Sequence, residues 1–298
     1  MLLLKQAQKK LPIKLIASLL HFLLSSCVAL QSSKDADVIA AKKPAIKTQD
    51  VKDEIKEGTI AELPKTKALD YSKTFVFMIG ILSWHDSDIP SFPTDGRKDR
   101  VLEQAFLNAG VPRSQLVFLE DTVATKITIM RELKAILAKT KSDSNFIFYY
   151  AGHGSNDPTF YIASYDMVAG NVSSTVTFRD IGFEIRKSFT GQLLLYLGDM
   201  CFSGGFAQEA QQQTTPAIAI TSASEKIDST GSWTYTETWI DIINGKSALD
   251  TDKDGGISIK EAGSIIRQNM LFKENQASSY GGNDKVDESL SLQKSKQL

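Results

Sequence analysis

The side chains of this chain best suited to covalent chemistry sit at the ends of apolar runs. Of its two cysteines and three histidines, one of each stands out. "FIFYYAGHGS" (146–155) delivers His153 between two glycines, and "LLLYLGDMCFSGG" (193–205) delivers Cys201 two residues after Asp199. A free thiol has a pKa near ~8.5 and is a poor nucleophile at neutral pH unless a partner favours the thiolate. An imidazole can do that, and can later return the proton to a leaving amine. Glycines beside the histidine let a substrate carbonyl approach backbone N–H donors closely. A lone histidine after a strand also reads as an ordinary loop residue, so the placement of both groups has to decide. His85, in "SWHDSD", also follows an apolar run but has no glycine turn and reads as a loop residue.

A second constellation is acidic. "DTDKDGGISIKE" (250–261) has the spacing of a twelve-residue calcium loop: Asp250, Asp252 and Asp254 at positions 1, 3 and 5, then Gly255 at the sharp turn. Gly256 would offer its carbonyl at position 7, Ser258 would serve position 9, and Glu261 would bind through both oxygens at position 12. Converging carboxylates repel one another unless a cation balances them. A solvated acidic turn is the alternative. Only one such loop is visible, which fits a weak Ca2+ site in the ~10⁻⁴–10⁻³ M class.

The elements that position these groups alternate. "TFVFMIGIL" (74–82), "QLVFLE" (115–120), "NFIFYYA" (145–151), "QLLLYLGD" (192–199) and "PAIAITSA" (216–223) read as strands. Helical spacing appears over 99–110, 125–139, 177–189, 234–245 and 260–271. Continuous apolar strands alternating with amphipathic helices predict an α/β fold with a mostly parallel sheet covered on both faces. In such sheets functional groups gather beyond the carboxyl ends of the strands. His153 and Cys201 are both placed there.

An apolar strand ending His-Gly, followed by one ending Asp-x-Cys-x-Ser-Gly, resembles the caspase-like (clan CD) cysteine peptidases. "YYAGHGS" (149–155) and "DMCFSGG" (199–205) are most similar to metacaspases and bacterial caspase homologues, and the resemblance spans about 75–275. It implies a caspase-like three-layer sandwich, with His153 as general base and Cys201 as nucleophile. It further implies an oxyanion hole from the N–H groups of Gly154 and Cys201. An acidic pocket for Arg or Lys, lined by Asp99 and Asp199, is implied as well. The chain departs from the metacaspase pattern at Ala151, where Ser is usual, and at Arg100, where Ala is usual. Acidic D-x-D-x-D-G segments also occur in bacterial caspase homologues.

The first residues are of another kind. Lys5, Lys9, Lys10 and Lys14 precede "LIASLLHFLL" (15–24) and Ser25-Ser26-Cys27, the layout of a secretory signal whose apolar stretch is too short to span a membrane. "LSSC" (24–27) resembles a bacterial lipobox, which implies a signal over 1–26, lipid on Cys27 and a membrane-anchored, exported protein. Residues 27–70 lack aromatics and read as a disordered tether. A peptidase domain over 71–275 and a polar tail over 276–298 complete the expected organisation. With a net charge of −1 and no basic stripe, nothing points to nucleic acid. The expected partners are a protein or peptide substrate and a membrane, with no organic cofactor. Three alternatives remain open at this level: a Cys27–Cys201 disulfide, a catalytically silent module binding calcium or a partner, and a transpeptidase.

Overall fold

The computed structural model describes residues 67–294. Seven-residue runs of apolar side chains make three strands buried along their whole length: β1 (Thr74–Gly80), β3 (Asn145–Ala151) and β7 (Leu193–Asp199). The shorter strands β2 (Leu116–Glu120) and β8 (Ala217–Thr221) flank them, and all five are parallel. A sixth strand, β10 (Ser279–Gly282), joins the edge antiparallel to β8. The order is β10-β8-β7-β3-β1-β2. From β1 the chain moves outward one way to β2, then the other way through β3, β7 and β8. The crevice beyond the carboxyl ends of β1 and β3 is therefore the topological switch point, where open parallel sheets bind ligands.

Successive side chains of a strand point to opposite faces, so each face has its own core. Phe77, Ile79, Phe148, Tyr150 and Tyr196 pack against α2 (Lys126–Leu137), α3 (Phe178–Ser188) and α4 (Phe206–Gln211). Val76, Met78, Ile147, Tyr149 and Leu197 pack against α1 (Asp99–Ala109), α5 (Thr234–Ile243) and α6 (Ile259–Glu274). Helices thus cover both faces of a mostly parallel sheet, as the alternation of patterns predicts. Among the described residues no helix is long and apolar enough to cross a membrane.

Two small sheets complete the architecture. β4 (Gly154–Ser155), β5 (Tyr161–Ile162) and β6 (Val176–Thr177) form one, immediately after His153. β9 (Gly256–Ser258) and β11 (Ser291–Lys294) form the other. The strands β10 and β11 correct the expectation of a polar tail over 276–298. Leu292 is fully buried, and the side chain of Gln276 is buried too. The segment reads as polar because its apolar anchor is a few isolated side chains, Leu292 foremost, with main-chain bonds and close backbone approach holding the rest. A Cβ on Gly282 would stand 2.2 Å from the carbonyl oxygen of Ala217. The domain also begins before residue 71. The Leu69 N–H donates to the Ser291 carbonyl at 2.7 Å, and the Ser291 N–H donates to the Lys67 carbonyl at 2.9 Å.

Candidate active site

The pairing register places the two reactive groups. Ala151 of β3 stands opposite Asp199 of β7, so His153 and Cys201 each lie two residues beyond the same rung of adjacent parallel strands. A cavity of about 210 Å³ opens there, lined by Leu82 beyond β1, Gly152 beyond β3, and Asp199 and Cys201 from β7. Asp95 and Trp233 stand on its walls. The predicted strand-end placement is thus what the structure shows, at the switch point of the sheet.

His153 is held on three sides. Its Nε2 lies 2.8 Å from the carbonyl oxygen of Pro90. A carbonyl only accepts, so Nε2 carries the proton and Nδ1 of the neutral ring is left as the basic atom. Trp84 and Phe92 clasp the ring, with centroids at 4.6 and 4.4 Å. Burial lowers the imidazole pKa, and the Pro90 bond partly offsets that. His85 lies elsewhere: exposed, with its ring against Tyr165 and its N–H bonded to the Tyr165 carbonyl.

Cys201 is a half-buried free thiol. Its Sγ accepts the Ser229 N–H at 3.2 Å. Burial pushes the thiol pKa up, the Ser229 bond opposes this, and the nearby Asp228 carboxylate raises it further. Among the described residues His153 and Cys201 do not hydrogen-bond to each other, and burial favours the neutral form of both. Phe202, the next residue, adopts left-handed backbone with φ 56°, and its N–H is taken by the Ile227 carbonyl at 2.9 Å. This turn lifts the thiol out of the strand direction.

Gly154 follows His153 and opens β4. Ala163 N–H donates to the His153 carbonyl at 3.0 Å, which makes Gly154 and Ile162 a pair that do not bond each other. The Gly154 N–H therefore points away from β5. A Cβ on Gly154 would stand 2.9 Å from the Cys201 carbonyl oxygen, so only glycine permits this approach.

The two acidic residues separate. Asp199 is buried at the floor of the cavity, where Thr236 Oγ1 donates to its Oδ2 at 2.5 Å. Burial raises its pKa from 3.8 to about 7, against the pull of the Thr236 and Ser222 hydrogen bonds. Asp99 does not line the cavity, which corrects its assignment as a substrate-binding residue. It is fully buried under β1 and held by both forks of Arg97, with Nε to Oδ1 at 2.8 Å and Nη2 to Oδ2 at 2.6 Å. A Cβ on Gly80 would fall 2.0 Å from its carboxylate. Arg97 also bonds the Gly80 carbonyl and Asp121, whose other oxygen accepts the Leu82 N–H. Arg97, unmarked in the sequence, thereby fixes the 81–98 segment that carries Trp84, Pro90 and Phe92. The carboxylate that replaces Asp99 on the wall is the exposed Asp95.

The 250–261 loop lies between α5 and α6. One oxygen from each of Asp250, Asp252 and Asp254 falls within 4.8 Å of the others. Glu261 and Ser258 are used differently from the calcium-loop expectation. Their side chains form the capping box of α6, with Ser258 N–H donating to Glu261 Oε2 at 2.8 Å and Glu261 N–H to Ser258 Oγ at 3.2 Å. The other Glu261 oxygen accepts Thr251 N–H and Oγ1 at 2.6 and 2.8 Å. A helix N-terminus with a Ser-x-x-Glu sequence satisfies its orphan donors this way. Gly256 opens β9. Cys27 and the signal lie outside the described residues.

No protein-family model matches this chain, and no curated protein matches it.

Proposed function

We propose that the protein is a cysteine endopeptidase of the caspase-like kind, nearest to metacaspases and bacterial caspase homologues, and anchored outside the cytoplasm by lipid on Cys27. The observation that carries this reading is the common rung. Two parallel strands present an imidazole and a thiol at equal distance beyond Ala151 and Asp199; Cys201 lines the cavity at the switch point, and His153 lines an adjoining one with Pro90 and Gly154. A core histidine and a core cysteine would have no reason to share that edge.

The chemistry follows from the atoms. Nδ1 of His153 takes the thiol proton as Cys201 Sγ attacks the scissile carbonyl carbon. The resulting oxyanion meets the N–H groups of Gly154 and Cys201, donors fixed before the reaction begins. Collapse expels the amine, which the imidazolium protonates, and leaves a thioester that water then hydrolyses. The clasp of Trp84 and Phe92 keeps the ring aimed, and the Pro90 carbonyl keeps its proton on Nε2. Asp199 selects a cationic side chain before the scissile bond, because a guanidinium or ammonium supplies the charge partner that this buried carboxylate lacks. Asp95 adds a second negative group at the wall.

An electrophilic peptide probe with Arg before the warhead tests this reading. The parent should be labelled at Cys201, and Cys201→Ala should lose both labelling and peptide hydrolysis with an unchanged melting temperature. Equal turnover by the parent and Cys201→Ala would refute it.

A further inference from the structure

The acidic loop belongs to no step of the proposed chemistry, yet it is built at a cost. Three carboxylates crowd together, and one of them is removed from solvent: Asp250 is only 9% exposed. Its Oδ2 accepts the Gly255 N–H at 3.1 Å, whereas its buried Oδ1 meets no hydrogen-bond donor. A buried carboxylate oxygen without a donor is expensive, and a neighbouring like charge makes it more so. Among the described residues no Lys or Arg is bonded to Asp250. A cation is the missing partner. An all-oxygen donor set of carboxylates selects a hard ion, and a loop with several carboxylates but no rigid cage favours calcium over the smaller, geometrically demanding magnesium.

We propose that Asp250, Asp252 and Asp254 bind one calcium ion, with Asp250 Oδ1 as the central ligand and Glu261 fastening the loop from outside. Both Glu261 oxygens are already occupied, by Thr251 at one end of the loop and Ser258 at the other. This closes the loop into the shape in which the three aspartates converge. Ion-binding helix–loop–helix units ordinarily pair through a short strand of a second unit. Here β11 takes that place, Gln293 standing opposite Ile257. β11 in turn bonds the backbone of Leu69, where the chain enters the domain. The ion therefore sits beside the strand pair β9–β11, which in turn bonds residues 67–69.

Calorimetric titration of the full chain, as Cys201→Ala to prevent self-digestion, with calcium chloride tests the site. One site with Kd of ~10⁻⁴–10⁻³ M is expected. At ten times Kd the melting temperature should rise by a few degrees, and amide exchange of 291–294 should slow. Asp250→Asn should abolish the heat while melting, without calcium, at or above the temperature of its parent, because it relieves repulsion. Asp252→Asn, exposed and far from either core, supplies the same comparison should Asp250→Asn fail to fold. Glu261→Gln should lower calcium-free stability as well as affinity, since it loosens the capping box. No heat at about 5 mM calcium, well above that Kd class, would overturn the proposal. So would binding undiminished by both aspartate substitutions. Equal heats with magnesium chloride would overturn the choice of ion. None of these readouts depends on peptidase activity.

Discussion

Replacing Asp199 by Asn tests the cavity floor through its own titration. Asn keeps the shape and can still accept the Thr236 hydroxyl, but it cannot ionise. In the native state burial raises the Asp199 pKa from 3.8 to about 7. Between those two values the folded protein holds a proton that the unfolded chain has released, so stability must fall as pH rises through that window. A displacement of that size corresponds to about 4 kcal/mol once the pH exceeds 7. The Asn variant lacks this loss. Urea unfolding of both proteins from pH 4 to pH 8 should therefore show the variant gaining on the parent by about 4 kcal/mol, with most of the change complete by pH 7.

A cationic ligand reverses the balance, because it needs the ionised carboxylate. In Cys201→Ala, an Arg peptide should bind about tenfold more tightly per pH unit up to pH 7 and level off above it. A citrulline peptide of the same shape should bind with no such slope. Parallel unfolding curves for the two proteins, or equal slopes for the two peptides, would refute the assignment of Asp199 as a buried carboxylate awaiting a cation.

Other sites give sharper tests of the scaffold. Arg97→Ala leaves Asp99 buried without its partner, and loss of one member of such a pair costs about 3–5 kcal/mol; denaturant unfolding measures it, and a cost under about 1 kcal/mol would mean the pair is ornamental. Leu292→Ala should cost about 2–5 kcal/mol because its side chain is wholly buried, whereas a frayed tail would lose nothing. His153→Ala should remove hydrolysis while the probe at Cys201 reacts more slowly but still reacts, since the thiol keeps its own intrinsic nucleophilicity; unchanged hydrolysis would assign the base elsewhere.

Much of this architecture was legible because it is written in uninterrupted apolar runs. β1, β3, β7 and β8 each bury every residue, and no surface strand produces that pattern. What lies at their carboxyl ends follows from the topology rule, so His153 and Cys201 stand out from the sequence alone. The strands β10 and β11 are not legible, because "SYGG" and "SLQK" each carry a single core-facing side chain, Tyr280 and Leu292, and one apolar residue in four makes no pattern. α4 spans six residues, too few to show a helical period. Asp99 was misplaced for a different reason. Its position at the start of α1 is visible in sequence, but its capture by Arg97 depends on Asp121 arriving from the end of β2 to complete the network. The aromatic clasp of His153 escaped notice because Trp84 and Phe92 lie in an irregular segment, where no periodicity marks an inward side chain.

On the proposed reading, that segment and its counterpart explain how a neutral pair could serve as a resting catalyst. The floor of the site is rigid sheet, but its two walls are loops, and each is pinned by one buried polar side chain. Arg97 ties the 81–98 wall to the ends of β1 and β2, and that wall sets the imidazole through Pro90, Trp84 and Phe92. Gln276 ties the 224–233 wall by accepting the Thr230 N–H at 2.7 Å and donating to the Ser222 carbonyl at 2.7 Å. That wall holds the thiol through Ser229. Burial depresses the imidazole and raises the thiol, so ion-pair formation in the free protein is disfavoured from both sides. A substrate chain laid between the walls changes this by bringing a carbonyl whose developing negative charge the Gly154 and Cys201 donors can receive. Proton transfer from Sγ to Nδ1 is then coupled to attack instead of preceding it. A nucleophile that ionises only with substrate in place is protected from oxidation, since the thiolate is the oxidisable form. For the thiol of a peptidase working outside the cytoplasm, as proposed above, that is a reason for the pair to rest uncharged.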